Sequence, residues 1–240
     1  MKKSVVFFLS LFLSVAIFAQ KQIDDANAQV RKVSGFHAIK SSHGIKVYLT
    51  QSNSEAVAVS ANSTEYRDKM KTVVENGVLR IYFDNDDWKL WQHITNKQLR
   101  AYVSVKELDR IDVSSGSSVQ IEDVLNSNKL VLDASSGASI KGKVDAESMT
   151  VDQSSGSVIT ISGQIKGTLK VEGNSGSIFH GFDLSAENCD AETNSGAGIK
   201  ITVNKELTVD ASSGGYIHYK GNGSIKDVHT SSGGSVSRKS

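Results

Sequence analysis

The chain has no proline. Proline takes a donor out of a strand ladder and is kept out of sheet interiors, so its absence suits a protein made mostly of hydrogen-bonded sheet. There is one cysteine, Cys189. That excludes an internal disulfide, even in a compartment that would permit one, and excludes a lipoprotein anchor, which needs a cysteine at the leader cleavage site. Beyond the first 19 residues no apolar run is long enough to span a membrane as a helix. Charge of either sign is not in excess, with 27 Lys and Arg against 26 Asp and Glu. The basic stripe of a nucleic-acid binder is missing. No His/Cys cluster has metal-ligand spacing, no glycine-rich loop opens a helix, and no two carboxylates stand apart as an acid/base pair. No catalytic residue is expected.

The first 19 residues, MKKSVVFFLSLFLSVAIFA, put two lysines before an unbroken apolar stretch and end in a small residue. This is the layout of a secretory signal peptide, with the mature chain beginning near Gln20. Losing Lys2 and Lys3 leaves 25 basic against 26 acidic residues, a net charge of −1. An exported protein without a transmembrane segment is expected, located in the periplasm, on the outer surface or in the medium. About 220 residues suffice for one large or two small domains with a real core.

Between residues 113 and 235 one pattern returns seven times: VSSGSS, ASSGAS, QSSGSV, GNSGSI, TNSGAG, ASSGGY and TSSGGS. Its glycines are Gly116, Gly137, Gly156, Gly176, Gly196, Gly214 and Gly233, at intervals of 21, 19, 20, 20, 18 and 19 residues. A nucleophile elbow needs one strained serine, and no enzyme uses seven in register. The motif is a structural corner with a fixed period.

Counting from each glycine as zero, position +3 is apolar in every copy: Val119, Ile140, Ile159, Phe179, Ile199, Ile217 and Val236. Position −5 is apolar too, and −7 reads Leu130, Met149, Leu169, Cys189 and Leu207 in the middle copies. Positions two apart share one face of a strand. Each copy thus supplies a strand, a corner and a strand, and like residues stack at about 4.8 Å per rung. The fold class expected is all-β: a parallel β-helix or β-solenoid of about 20 residues per rung, roughly 30 Å long over seven rungs. Cys189 belongs to a packing column. Parity carried through the corner would turn the −1 serines (Ser115, Ser136, Ser155, Ser175, Ser195, Ser213 and Ser232) inward, where each hydroxyl would need a partner.

Outward positions hold the candidate sites. Position −4 carries Asp112, Asp133, Asp152, Glu172, Glu192 and Asp210. Carboxylates stacked 4.8 Å apart repel by roughly 1 kcal/mol per neighbour in water. The column is either a solvated face that discourages edge association or a ladder that calcium bridges. Calcium is the one ion considered, and no other cofactor is expected. Position +4 includes Lys141, His180, Lys200 and His218, with Tyr216 at +2. An aromatic among basic groups is suited to stacking on a sugar ring.

Residues 20–34 read as a lead-in and 35–105 as a β region without the SSG letters. GFHAIKSSHGIKVYLTQ and EAVAVSAN have strand texture, and NGVLRIYF is a turn leading into a strand. STEYRDKMKTVVENG opens with a Ser/Thr cap and closes with Asn-Gly, and reads as one short helix between them. FDNDDWKLWQHITNK holds both tryptophans, Trp88 and Trp91, which either mark a binding loop or cover the end of the solenoid. Residues 106–240 form the SSG-repeat β-helix, and 35–240 together are expected to be one continuous unit.

The leader, GFHAIKSSHGIKVYLTQ, VVENGVLRIYF, LRAYVSVKELDRIDVSSGSSVQI and the SSG/NSG series, in that order, resemble the head GIN domain family, auto-transporter adhesins common in Bacteroidetes. The likeness covers nearly all of residues 35 to 235. It implies a secreted β-helical protein with a role in adhesion, and it brings no catalytic residues. An auto-transporter carries a C-terminal membrane barrel of many amphipathic strands. Here only SVSRKS follows the last rung, so no translocator is expected in this chain.

The leading expectation is a non-catalytic, adhesin-like binding protein of the cell envelope that presents its ladder to a glycan or a surface protein. A structural envelope scaffold without a soluble ligand is the second reading. A polysaccharide lyase or hydrolase is the third, set back because repeats differing by only three residues leave no room for cleft-building insertions.

Overall fold

The computed structural model describes residues 25–84 and 97–240. Residues 1–19, whose sequence reads as a signal peptide, and the Trp88/Trp91 pair lie outside the described residues. Of the described residues 66% are strand and 3% helix, wound into a β-solenoid of about six turns.

The repeating unit is a long strand that runs from one corner to the next: β9 (Ser118–Ala134), β10 (Ser139–Gln153), β11 (Val158–Gly173), β12 (Ile178–Thr193) and β13 (Gly198–Ala211). Each pairs in parallel with the next, like position on like: Ile140 on Ile159, Ile159 on Phe179, Leu169 on Cys189, Cys189 on Leu207. The two ends of β9 pair with different strands, Ser118–Ile121 with β3 (Lys46–Gln51) and Val131–Ala134 with β8 (Arg110–Val113). A long strand therefore bends between corners and contributes to both broad faces. The winding ends in β14 (Tyr216–Lys220), β15 (Ser224–Thr230) and β16 (Ser235–Arg238).

At each corner both central residues take positive φ: Ser115 and Gly116 at 53° and 69°, Ser155 and Gly156 at 52° and 70°. Two left-handed residues in succession, closed by Ser117 N donating to Ser114 O at 3.1 Å, give a tight type I′-like turn. Serine at the first of these is tolerated because short polar side chains accept that region, and glycine at the second adopts it without a Cβ penalty. The corners stack as well: Gly116 N donates to Ser136 O, Gly137 N to Ser155 O and Gly156 N to Ser175 O, at 3.0–3.1 Å.

This geometry corrects the inward placing of the −1 serines. Ser115, Ser136, Ser155, Ser175, Ser195, Ser213 and Ser232 are all exposed, and the buried small residue is at +1: Ser117, Ala138, Ser157, Ser177, Ala197 and Gly215. Strand parity assumes extended backbone, and the left-handed residue at −1 turns its side chain out instead. The buried hydroxyls are satisfied by main chain. Ser157 Oγ donates to Ala134 O (2.8 Å), Ser177 Oγ donates to Gln153 O (3.1 Å), and Ser117 Oγ accepts from Ile45 N (3.1 Å). Gln153 is fully buried, and with its amide oxygen and nitrogen exchanged the nitrogen donates to Ile178 O at 3.3 Å and the oxygen accepts from Phe179 N at 2.9 Å.

The solenoid begins before the SSG letters do. Ser42-His43-Gly44 forms the same corner, with φ of 67° and 72° at His43 and Gly44, and Gly44 N donates to Ser115 O at 3.0 Å. It joins β2 (Ala38–Ser41) to β3, which lie in parallel register on β8 and β9. Beyond them β7 (Arg100–Val105) continues one face from β3. It is followed by antiparallel β4 (Ala56–Ser60) and β1 (Gln29–Arg31). On the other face β6 (Val78–Phe83) follows β2, and antiparallel β5 (Met70–Glu75) follows β6. One apolar core runs unbroken from Phe36 to Ile217.

The helix is shorter than the sequence suggests. α1 covers Thr64–Lys69, with Ser63 as its N-cap, and the remainder of the segment is β5. Thr72, Val73 and Val74 are β-branched and favour strand. Asn76-Gly77, with φ of 51° and 77°, is the hairpin turn from β5 to β6 rather than a helix end.

Candidate functional site

The −4 carboxylates form the ladder that their spacing predicts. Asp112 pairs with Asp133, Asp133 with Asp152, Asp152 with Glu172, Glu172 with Glu192, and Glu192 with Asp210. Lys40 stands at one end and His229 at the other. Neighbouring cations relieve part of the repulsion: Arg110 reaches Asp112 at 2.7 Å and Asp133 at 3.4 Å, and Lys170 reaches Glu172 at 2.6 Å. The middle of the ladder still feels it. Partial burial, then the adjacent carboxylates, raise the pKa of Asp133 and Asp152 above the ordinary aspartate value. The carboxylates stack as a file, and among the described residues no three His, Cys, Asp or Glu side chains converge to enclose a metal ion.

The opposite face carries the +4 column, and here the structure gathers four predicted residues. His180 pairs with Lys200, Lys200 with His218, and Tyr216 stands on Gly198. Gly198 is needed there, since a Cβ at this position would lie 2.2 Å from the Tyr216 ring. Tyr216 and His218 rings are 5.0 Å apart at 45°. Burial and Lys200 lower the pKa of His180, and burial with Lys239 and Lys200 lowers that of His218, so both imidazoles are neutral at pH 7.

Beside this column lies a cleft of about 430 Å³, lined by Lys141, Gly142, Thr160, Ile161, Ser162, His180, Phe182, Asp183 and Lys200. A β-bulge shapes it. Along β12, Gly181 pairs with Ile201 and Ser185 with Thr202, which leaves Phe182, Asp183 and Leu184 opposite no residue of β13. Bulges re-aim side chains, and this one sets Phe182 and Asp183 on the cleft wall. Thr202 Oγ1 donates to Phe182 O at 2.8 Å, and Lys220 Nζ sits 4.9 Å from the Phe182 ring centre, holding both ends of that wall. Behind it, Gly181 has no side chain because the Phe179 ring would lie 2.5 Å from its Cβ.

Sequence reading missed Phe182 and Asp183. The signal was a drop in corner spacing from 20 residues to 18 on either side of Gly196, which is where β12 carries residues that β13 lacks. It also missed Tyr48 and Tyr102, which extend the +4 column toward the N-terminus, stacked at 5.3 Å and 11°. Tyr102 OH donates to Asp25 at 2.9 Å, and burial pushes its pKa up to about 12. Cys189 is fully packed in the core and burial raises its thiol pKa far above the ordinary value, so it is inert.

The model of the family described as "Putative auto-transporter adhesin, head GIN domain" matches residues 35–223. The chain belongs to this family. Among solved structures, this head GIN protein is similar to a "putative adhesin" from Bacteroides fragilis at 15% identity and a TM-score of 0.78, covering 88% of this chain and 96% of that one. It is similar to a "putative adhesin" from Parabacteroides distasonis at 18% identity, TM-score 0.70, covering 88% and 96%. A "putative lipid binding protein" from the same species matches at 18% identity, TM-score 0.68, covering 90% and 98%. At these identities the likeness shows the head GIN fold alone. No curated protein matches the chain. No helix among the described residues is long and apolar enough to cross a membrane.

Proposed function

We propose that this head GIN protein is an exported, adhesin-like binding protein of the cell envelope, non-catalytic, which presents one face of its solenoid to a glycan or a surface protein. The observation that carries this reading is the +2/+4 face. There Tyr216, His218, Lys200 and His180 stand in register beside a cleft, and Lys141 and Lys200 form no ion pair among the described residues. A parallel ladder holds such groups rigidly at fixed spacing, so binding pays little ordering cost. One structural neighbour carries a lipid-binding name, but a lipid tail needs an apolar cavity. Here the interior is filled by side chains such as Phe179 and Leu125.

The test is to incubate the mature chain with an array of polysaccharides and glycoproteins, scoring retention together with newly released reducing ends. Retention without release is expected. Release of ends would replace binding with turnover, and silence on both counts would favour a structural scaffold.

A further inference from the structure

Resting on the glycan branch of that reading, we infer that the cleft bounded by β10 to β13 is a subsite for one acidic sugar residue, its carboxylate or sulfate group held by Lys200 beside His180, its ring laid against Phe182, and Lys141 adding positive charge from the far end of the cleft.

The argument begins with charge. Lys141, Thr160, His180 and Lys200 occupy successive places in one ladder, so their side chains rise from strands about 4.8 Å apart. Two of the four, Lys141 and Lys200, are cations without an ion-pair partner among the described residues, and His180 beside Lys200 is a neutral imidazole. On the acidic face, by contrast, Arg110 and Lys170 are each drawn onto carboxylates. Cations left unpaired at the rim of a concave site are what an anion needs, because the walls shield their field from water.

A pure anion site would end there, but two further groups point to a sugar. Phe182 is a partly exposed ring, held in place by Lys220 and by the bulge of β12. An apolar ring face beside polar groups suits the C–H face of a pyranose. Asp183, on the same bulge, accepts hydrogen bonds, and Thr160 and Ser162 both donate and accept. Hydroxyls on a sugar ring satisfy these groups, whereas an inorganic anion would meet Asp183 as a like charge. A cleft of about 430 Å³ is of monosaccharide to disaccharide size. The cleft also depends on glycine. Gly142 lines it, and a side chain there would run into Ile121, its Cβ 2.4 Å from that of Ile121.

The test uses the mature protein and isothermal titration with polygalacturonate as the carboxylated probe, dextran sulfate as the sulfated one and dextran as the neutral one. Galacturonic acid and acetate compete as single-site ligands. Polygalacturonate or dextran sulfate is expected to bind and dextran not to, and the better of the two identifies the acid group. The K141M/K200M double variant should weaken binding at least tenfold and F182A at least threefold. Galacturonic acid should compete better than acetate. D152N, on the far face, serves as a folded control and should bind as wild type. Unchanged binding in the double variant, or galacturonic acid no better than acetate, would overturn the subsite. Retention of a neutral glycan or glycoprotein that the cleft variants leave intact would overturn it too, while sparing the adhesin reading.

Discussion

The two broad faces of the solenoid are built by the same strands and obey the same register, yet they end in opposite chemistry. On the −4 face every rung from Asp112 to Asp210 repeats an acid, and the product is a flat file of like charges. On the +4 face the residue changes from rung to rung, through Tyr48, Gln120, Lys141, Thr160, His180, Lys200 and His218, and a bulge and two glycines break the surface into a cleft. A parallel stack multiplies whatever is placed in a column. Uniform columns therefore make surfaces, and only departures from uniformity make sites.

The sharpest way to break this contrast is Phe179→Ala. The ring fills the core beneath Gly181, so its loss should cost about 3–5 kcal/mol and slacken the strand that carries His180 and Phe182. Denaturant unfolding checks the loss, and a variant within 1 kcal/mol of wild type would show that the cleft wall stands without it. Gly163→Ala comes next, at about 1–3 kcal/mol or more. Gly163 sits at φ 115° with the Val144 carbonyl oxygen 2.1 Å from where a Cβ would be. Gly156→Ala at a corner meets no atom within 4 Å and should cost only about 1 kcal/mol, the price of left-handed backbone.

Substitution on the acidic face should act in the other direction. Asp152→Asn removes one charge from between two others and is expected to stabilise the protein by up to about 1 kcal/mol, seen as a rise of about 2–4 °C in Tm. No rise would mean that counter-ions already neutralise the ladder. The pH dependence follows from the raised pKa values of Asp133 and Asp152. In the folded protein they take up protons at a pH where the unfolded chain does not. Their contribution is therefore complete below the ordinary aspartate value of 3.8 and is lost as pH rises through the folded values. The stability difference between wild type and Asp152→Asn should shrink as the medium is acidified into that range.

The smallest effect belongs to the cleft face. His180 and His218 have pKa values below the ordinary histidine value of 6.5, so between pH 7 and an acid pH well below 6.5 they gain positive charge among Lys141, Lys200, Lys220, Lys239 and Asp183. Retention of an acidic glycan should tighten over that range by a few-fold, and a His180→Gln variant should lose part of the gain. Equal retention at both pH values would place the histidines outside the contact.

The rung, its period, its buried columns and its acidic ladder were legible in the chain because parallel in-register stacking turns three-dimensional neighbours into a fixed spacing of about 20 residues. Leu169, Cys189 and Leu207 could be read as one column without coordinates. Legibility failed wherever backbone left the extended state. The −1 serines turn outward because Ser115 and its counterparts are left-handed, and the eighth corner went unread because His43 stands where serine stands elsewhere. The helix stopped at Lys69 because Thr72, Val73 and Val74 are β-branched and the strand β6 offered them a partner, and that partner is what the sequence did not show. Sequence alone thus determined a solenoid with an acidic face, since period and residue type suffice for that. Only the tertiary structure decided that the opposite face holds a cleft, because Phe182 and Asp183 are placed by a bulge, and a bulge is defined by the strand that lies alongside it.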